Sequence, residues 1–247
     1  MHLLTAPMFG AKHLWGLAFV ILLNIALYVI FNKTVKSERR LLLIALIGFY
    51  AMEVLKISFL IIRDGSFPLN HIPLHLCSIP LYVFPILYWV KPTSWWHQAA
   101  KATAFAVVLI AGVTALVIPV NIIGDNDTWF PLAGNFLPVL SFFFHGFMVF
   151  VPWYLYRRGY VQVGWSSVPP ALALTSMLMV VALIVDFAFD KDYMLLHTGN
   201  GSPLVFLRDD FGQLPYTVSM ILLGYVVITL VFAVTIGIRR LKQVVSR

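Results

Sequence analysis

Seven long, almost uncharged apolar stretches run through this chain, at about 14–31, 41–62, 74–90, 99–120, 136–156, 168–188 and 214–238. Each comes near the roughly 20 apolar residues a helix needs to cross a bilayer core about 30 Å thick. Lipid offers no hydrogen bonds to the backbone, so such stretches are expected to be helices that satisfy their own N–H and C=O groups. Only 11% of the 247 residues are charged, against about 25% in a soluble domain. That balance excludes a soluble enzyme, a disordered chain and a secreted disulfide-stapled module. The expected fold is all-α, a polytopic seven-transmembrane-helix bundle forming one integral membrane domain over 1–247. The third stretch is the shortest and carries His75, Cys77, Pro80 and Pro85. It is expected to be kinked and packed inside the bundle.

The formal net charge of +7 reads as a topology code, not as a nucleic-acid footprint. Lys and Arg concentrate in cytoplasmic loops. Twelve of the 17 basic residues fall in alternate connections and the C-terminal tail, among them Lys33, Lys36, Arg39, Arg40, Arg157, Arg158, Arg239 and Arg240, with Glu38 as their one acid. The other connections hold Asp64, Asp125, Asp127, Asp190, Asp192, Asp209 and Asp210. This pattern places the N-terminus outside and the C-terminus in the cytoplasm, a parity that seven spans satisfy. The first stretch lacks a small-x-small cleavage site and is followed by its basic patch, so it reads as a retained helix, not a signal peptide. Trp89, Trp95 and Trp96 read as inner-interface anchors.

An ionisable group within a span is costly unless it faces the bundle interior, so each is a candidate site residue. Glu53 and Lys56 stand three apart in the second span, on one helical face, and read first as a mutually neutralising pair. Asp186, near the outer end of the sixth span, is either interfacial or orients a histidine. At 1.5 Å per helical residue, Cys77 lies roughly 6 Å below Pro73 and His145 roughly 13 Å below Phe136, both in the outer half of the membrane. Taken singly, a buried cysteine or helix histidine is a packing residue. Taken together, in a chain with one cysteine, they suit a nucleophile and its base, because an adjacent imidazole activates a thiol. His71 and His75 stand at i and i+4, a spacing that can seat one metal if both are helical. Pro73 interrupts that helix, no second half of a metal site is recognisable, and no metal is assigned. His2, His13, His97 and His197 read as solvated or headgroup neighbours.

The run His71-Ile72-Pro73-Leu74-His75-Leu76-Cys77 resembles the signature of the YwaF-like bacterial integral membrane proteins, relatives of the transmembrane protein 164 acyltransferases. Phe144-His145-Gly146, Asp192-Tyr193-Met194, Ser202-Pro203-Leu204 and 212–216 resemble further elements of that family, with Asp192 where an asparagine is expected and Gln213-Leu214 in place of Pro-Trp. Glu53 resembles an acidic position of its second span. The resemblance implies transfer of a fatty acyl group between phospholipids and lysolipids in the bacterial plasma membrane, with no cofactor. Cys77 would form a thioester and His145 would act as base and then acid. His75 would support from a different helical face, or replace His145 if the helix is broken near Pro73. Tyr193, Ser78 or backbone near Pro80 would stabilise the oxyanion, and Asp192 would belong to the loop covering the site. Two rivals stand beside this reading. One is a transporter or lipid-binding protein lined by Glu53, Lys56, Asp186 and His145. The other is a metal-dependent membrane hydrolase using His71, His75 and His145.

Overall fold

A computed structural model describes residues 8–119, 122–199, 202 and 204–245. His2, Val120, Asn200, Gly201, Pro203 and Arg247, which the sequence reading touched, lie outside them. Among the described residues every regular element is helical: α1 (Ala11–Thr34), α2 (Glu38–Asp64), α3 (Pro80–Trp89), α4 (Trp95–Thr103), α5 (Leu109–Val117), α6 (Phe136–Arg157), α7 (Val168–Phe189), α8 (Val205–Phe211) and α9 (Gln213–Val245). A π-helical turn, Ala104–Val108, joins α4 to α5.

Among the described residues six helices are long and apolar enough to cross a membrane: Ala11–Thr34, Glu38–Asp64, Trp95–Val117, Leu132–Arg157, Trp165–Phe189 and Gln213–Val245. Their boundaries follow local chemistry. The Ser37 hydroxyl accepts the Arg40 N–H at the start of α2, and Gly65 ends that helix at φ 68°. At that angle a Cβ would be strained, which is why glycine so often stops a helix. The stretch 74–90 does not form a full span. Its regular part is the 10-residue α3, about 15 Å long at 1.5 Å per residue, half a bilayer core. Pro80 opens α3, and proline is favoured at a first helical position because the missing N–H has no partner there anyway.

The chain falls into two compact units, one drawn from 1–67 and 108–160, the other from 68–107 and 161–247. In the first, α6 packs against α1, α2 and α5. Phe31 meets Phe150 edge-on at 5.2 Å and Phe49 meets Phe144 at 5.3 Å. The Tyr154 hydroxyl donates to the Asn32 side-chain oxygen. At the start of α1 a buried ammonium is satisfied by neutral groups. Lys12 donates to the Asn126 carbonyl and to Asn135 Oδ1 and lies 5.0 Å above the Trp129 ring.

In the second unit α7 packs on α4 and α9, and α3 on α4. The Ser176 and Tyr225 hydroxyls join α7 to α9, and Phe105 meets Phe232. The segment between α7 and α8 folds back under its own polar bonds. The Asp192 carboxylate accepts the N–H groups of His197 and Gly199 and the Thr198 hydroxyl. Tyr216 donates to the Leu195 carbonyl, and Gln213 and Thr217 both donate to that of Leu196.

Candidate functional site

Cys77 lies on a three-residue 3-10 turn, Leu76–Ser78, directly before α3. The preceding chain is irregular. A first 3-10 turn covers Leu69–His71, and His75 is extended at φ −71°, ψ 160°. The helical register in which His71 and His75 would share a face is therefore absent. So is the helical rise on which the depth of Cys77 below Pro73 was reckoned, whereas the span from Phe136 to His145 is helical throughout. Pro73 fits the break, since it lacks an N–H to donate and its predecessor Ile72 is out of the helical region at ψ 135°.

Carbonyls freed by this unwinding need donors, and side chains supply them. His75 Nε2–H donates to the Asn70 carbonyl at 2.9 Å, Tyr82 O–H to Pro73 at 2.7 Å and Tyr193 O–H to Leu69. A carbonyl can only accept, so Nε2 of His75 carries a proton, and in the neutral ring Nδ1 is the nitrogen with the lone pair. The Tyr193 ring stands edge-on to the His75 imidazole at 5.0 Å. Burial, and then the Asp186 carboxylate, push the Tyr193 phenol above its usual range, so it remains a donor. Cys77 and His71 are half-buried and Ser78 is buried.

Asp186 is fully buried, and its Oδ1 accepts the Tyr193 N–H at 2.7 Å. It thus holds the Tyr193 backbone, where the sequence offered either an interfacial residue or one that orients a histidine. Its Oδ2 has no hydrogen-bond partner among the described residues. Asp192 organises its own loop, as described above. One unit therefore gathers Tyr193 and Asp186 around the segment that carries His71, His75 and Cys77.

The first unit holds His145 and Glu53. His145, 5% exposed, donates from Nδ1 to the Ser141 carbonyl one turn earlier at 2.7 Å. Its Nε2 therefore carries the lone pair, the form a general base requires. Glycine brings α5 close to this point. A Cβ on Gly112 would stand 3.0 Å from the His145 carbonyl oxygen and 2.9 Å from Met148 Cβ. Glu53 and Lys56 form the expected ion pair, 2.8 Å apart.

Three histidines differ from their sequence reading. His13 is fully buried, accepting the Phe9 N–H at Nδ1 and donating from Nε2 to the Leu116 carbonyl. His97 is buried on the Val90 carbonyl, and His197 is half-buried on that of Lys191. Each caps a chain reversal in which a carbonyl has lost its helical partner. The sequence reading missed Asn70, Tyr82 and Ser141. Tyr82, a hydroxyl in an apolar run nine residues after a proline, was the legible signal among them. Among the described residues no group of three or more His, Cys, Asp or Glu side chains is arranged to hold a metal ion.

No curated protein and no solved structure gives a match to this chain. Of the relationships suggested by the run ending at Cys77, the one to the transmembrane protein 164 family is supported by a family model. That model, the TMEM164 family, matches residues 8–236, a stretch that takes in α1 to α8, most of α9 and every candidate site residue. With six apolar helices of membrane-spanning length and a match along nearly its whole length, the chain is a multi-pass membrane protein that belongs to the TMEM164 family.

Proposed function

We propose that this protein is a membrane-embedded lipid acyltransferase of the bacterial plasma membrane, with phospholipid or lysolipid substrates and Cys77 as the acyl carrier. The observation that carries the reading is the placement of the single cysteine. It sits on an unwound turn at the N-terminal end of a short helix, inside a segment held by side-chain hydrogen bonds. A helix N-terminus favours negative charge and so favours the thiolate. Orientation with the N-terminus outside would put this turn near the ester carbonyls of the outer leaflet.

In the proposed cycle a histidine takes the thiol proton and the thiolate attacks the ester carbonyl of a glycerolipid. The tetrahedral intermediate collapses, the C–O bond breaks, and the lysolipid alkoxide leaves with the proton from the imidazolium. An acceptor hydroxyl then attacks the thioester and gives its proton to the histidine. The acyl group moves to the acceptor and the thiolate returns. A site poor in water favours this transfer over hydrolysis. His145 supports the role of base through its lone pair on Nε2. His75 supports it through its lone pair on Nδ1 and the irregular chain between it and Cys77, which removes the objection that a regular helix would point the two side chains apart.

The test is intact-mass analysis of the purified protein after incubation with phospholipid. The reading expects a hydroxylamine-sensitive acyl adduct on Cys77, absent from Cys77→Ser and Cys77→Ala variants that express and fold normally. It also expects alanine at one of the two histidines to suppress both adduct formation and iodoacetamide labelling. A Cys77→Ser protein that still remodels lipids would overturn the reading, and a wild-type protein that forms no adduct and remodels no lipid would favour a transporter or lipid-binding protein.

A further inference from the structure

The segment 69–77 has little regular structure of its own, and side-chain bonds to the carbonyls of Leu69, Asn70 and Pro73 help to hold it. Two are local: His75 to Asn70 is five residues apart and Tyr82 to Pro73 nine. The third spans 124 residues, from the Tyr193 hydroxyl to Leu69. Local bonds shape a loop, and contacts with distant elements fix where it lies. Ile72 and Leu74 pack in one apolar cluster with Met179, Ala182 and Tyr193. Tyr193 adds a directional bond to that packing, and its ring meets the His75 imidazole edge-on.

Tyr193 is itself held more firmly than a surface loop residue. It is 1% exposed, and its side chain packs with Leu74, Met179, Ala182 and Leu196. Its N–H is tied to the buried Asp186 carboxylate. The next two residues, Met194 and Leu195, adopt left-handed backbone conformations at φ 56° and 58°. Such angles are unfavourable for side chains with a Cβ, and they persist where surrounding contacts over-determine the backbone. Here those contacts include the Tyr216 hydroxyl on the Leu195 carbonyl and the Asp192 loop beside it.

We propose that Tyr193 is a positioning residue for Cys77, helping to hold the nucleophile's segment in place through the Leu69 carbonyl and its edge-on contact with His75. The inference rests on the reading of Cys77 as nucleophile. The phenol touches no reacting atom in this role. Its hydroxyl sets the population of the segment conformation in which the thiol is presented for attack.

Full-length Tyr193→Phe in phosphatidylethanolamine–phosphatidylglycerol vesicles separates this role from simple packing, because the ring and its burial remain. Two rates are read on each protein: formation of the acyl adduct on Cys77 and alkylation of Cys77 by iodoacetamide. Loss of this partly buried hydrogen bond is expected to slow acyl-adduct formation up to about ten-fold. Alkylation is expected to rise about three-fold as the half-buried thiol is released, with the melting midpoint within a few degrees of wild type. Tyr193→Leu, which also loses the aromatic edge on His75, should be impaired at least as much. Wild-type rates for both reactions in Tyr193→Phe would overturn the proposal. So would parallel losses of both rates accompanied by a large drop in melting midpoint, which mark a purely structural residue. If the wild-type protein forms no adduct, the acyl-carrier reading fails. The alkylation comparison then decides the positioning role alone, with a rise sustaining it and an unchanged rate overturning it.

Discussion

Asp192 offers a graded test of the loop that presents Tyr193. Its carboxylate accepts three hydrogen bonds, from His197 N–H at 2.9 Å, Thr198 O–H at 2.6 Å and Gly199 N–H at 2.8 Å. Hydrogen bonds to a charged group contribute about 1.5–3 kcal/mol each when buried. Asp192 is half-buried, so the lower end applies. Asparagine keeps two of the three, because with its oxygen toward Thr198 and Gly199 the amide nitrogen faces the His197 N–H. Asp192→Asn should therefore lose roughly 1–2 kcal/mol of local stability, and Asp192→Ala roughly 3–5 kcal/mol. A factor of ten in the opening equilibrium is about 1.4 kcal/mol. Backbone amide exchange at His197 and Gly199 should then accelerate about ten-fold in the asparagine variant and at least a hundred-fold in the alanine variant. Hydrogen exchange with mass spectrometry on a peptide covering 190–199 reads this directly, with helix α6 as an internal reference. Equal exchange in wild type and Asp192→Ala would refute the assignment of the carboxylate as the organiser of the loop.

Two further outcomes follow from particular contacts. Gly112→Ala should lower the melting midpoint in detergent by a few degrees, despite a gain of about 1 kcal/mol in helix propensity. The new Cβ meets backbone and Cβ atoms of α6 at 2.9–3.0 Å, and overpacking of this kind costs about 1–3 kcal/mol. A raised midpoint would refute the close approach of α5 to His145. Tyr160 is half-buried, and burial followed by the Glu38 charge pushes its phenol up to about 12. The unfolded phenol ionises near 10, so between about pH 10 and 12 the folded protein binds more protons than the unfolded one. Stability conferred by the protonated phenol is then complete below pH 10 and lost as the pH rises toward 12. Tyr160→Phe should flatten that alkaline decline in a series of denaturation midpoints, and an unchanged decline would assign it to another group.

The long helices were legible because lipid-facing surface demands continuous apolar runs, and α1, α2, α6, α7 and α9 coincide with such runs within a few residues. The stretch 74–90 reads as a seventh run by composition alone. Its prolines shorten the helix to α3 and leave an unwound segment before it. The Glu53–Lys56 pair was equally legible, since residues three apart on a helix meet whatever surrounds them. His13 and His97 were not. Whether a histidine near an interface meets water or a carbonyl depends on which chain reversal lies beside it.

From sequence alone came the membrane class, most of the helical elements and the family, with Cys77 and its histidines as candidate residues. These are local quantities, set by hydropathy over a window or by residue type in a short motif. Only the tertiary structure decided that Tyr193 reaches the Leu69 carbonyl across 124 residues, that Asp186 holds Tyr193, and that Asp192 closes its own loop. The physical reason is that an unwound carbonyl accepts a donor from any neighbouring element. Which element lies beside it follows from helix packing, which no local pattern of residues encodes.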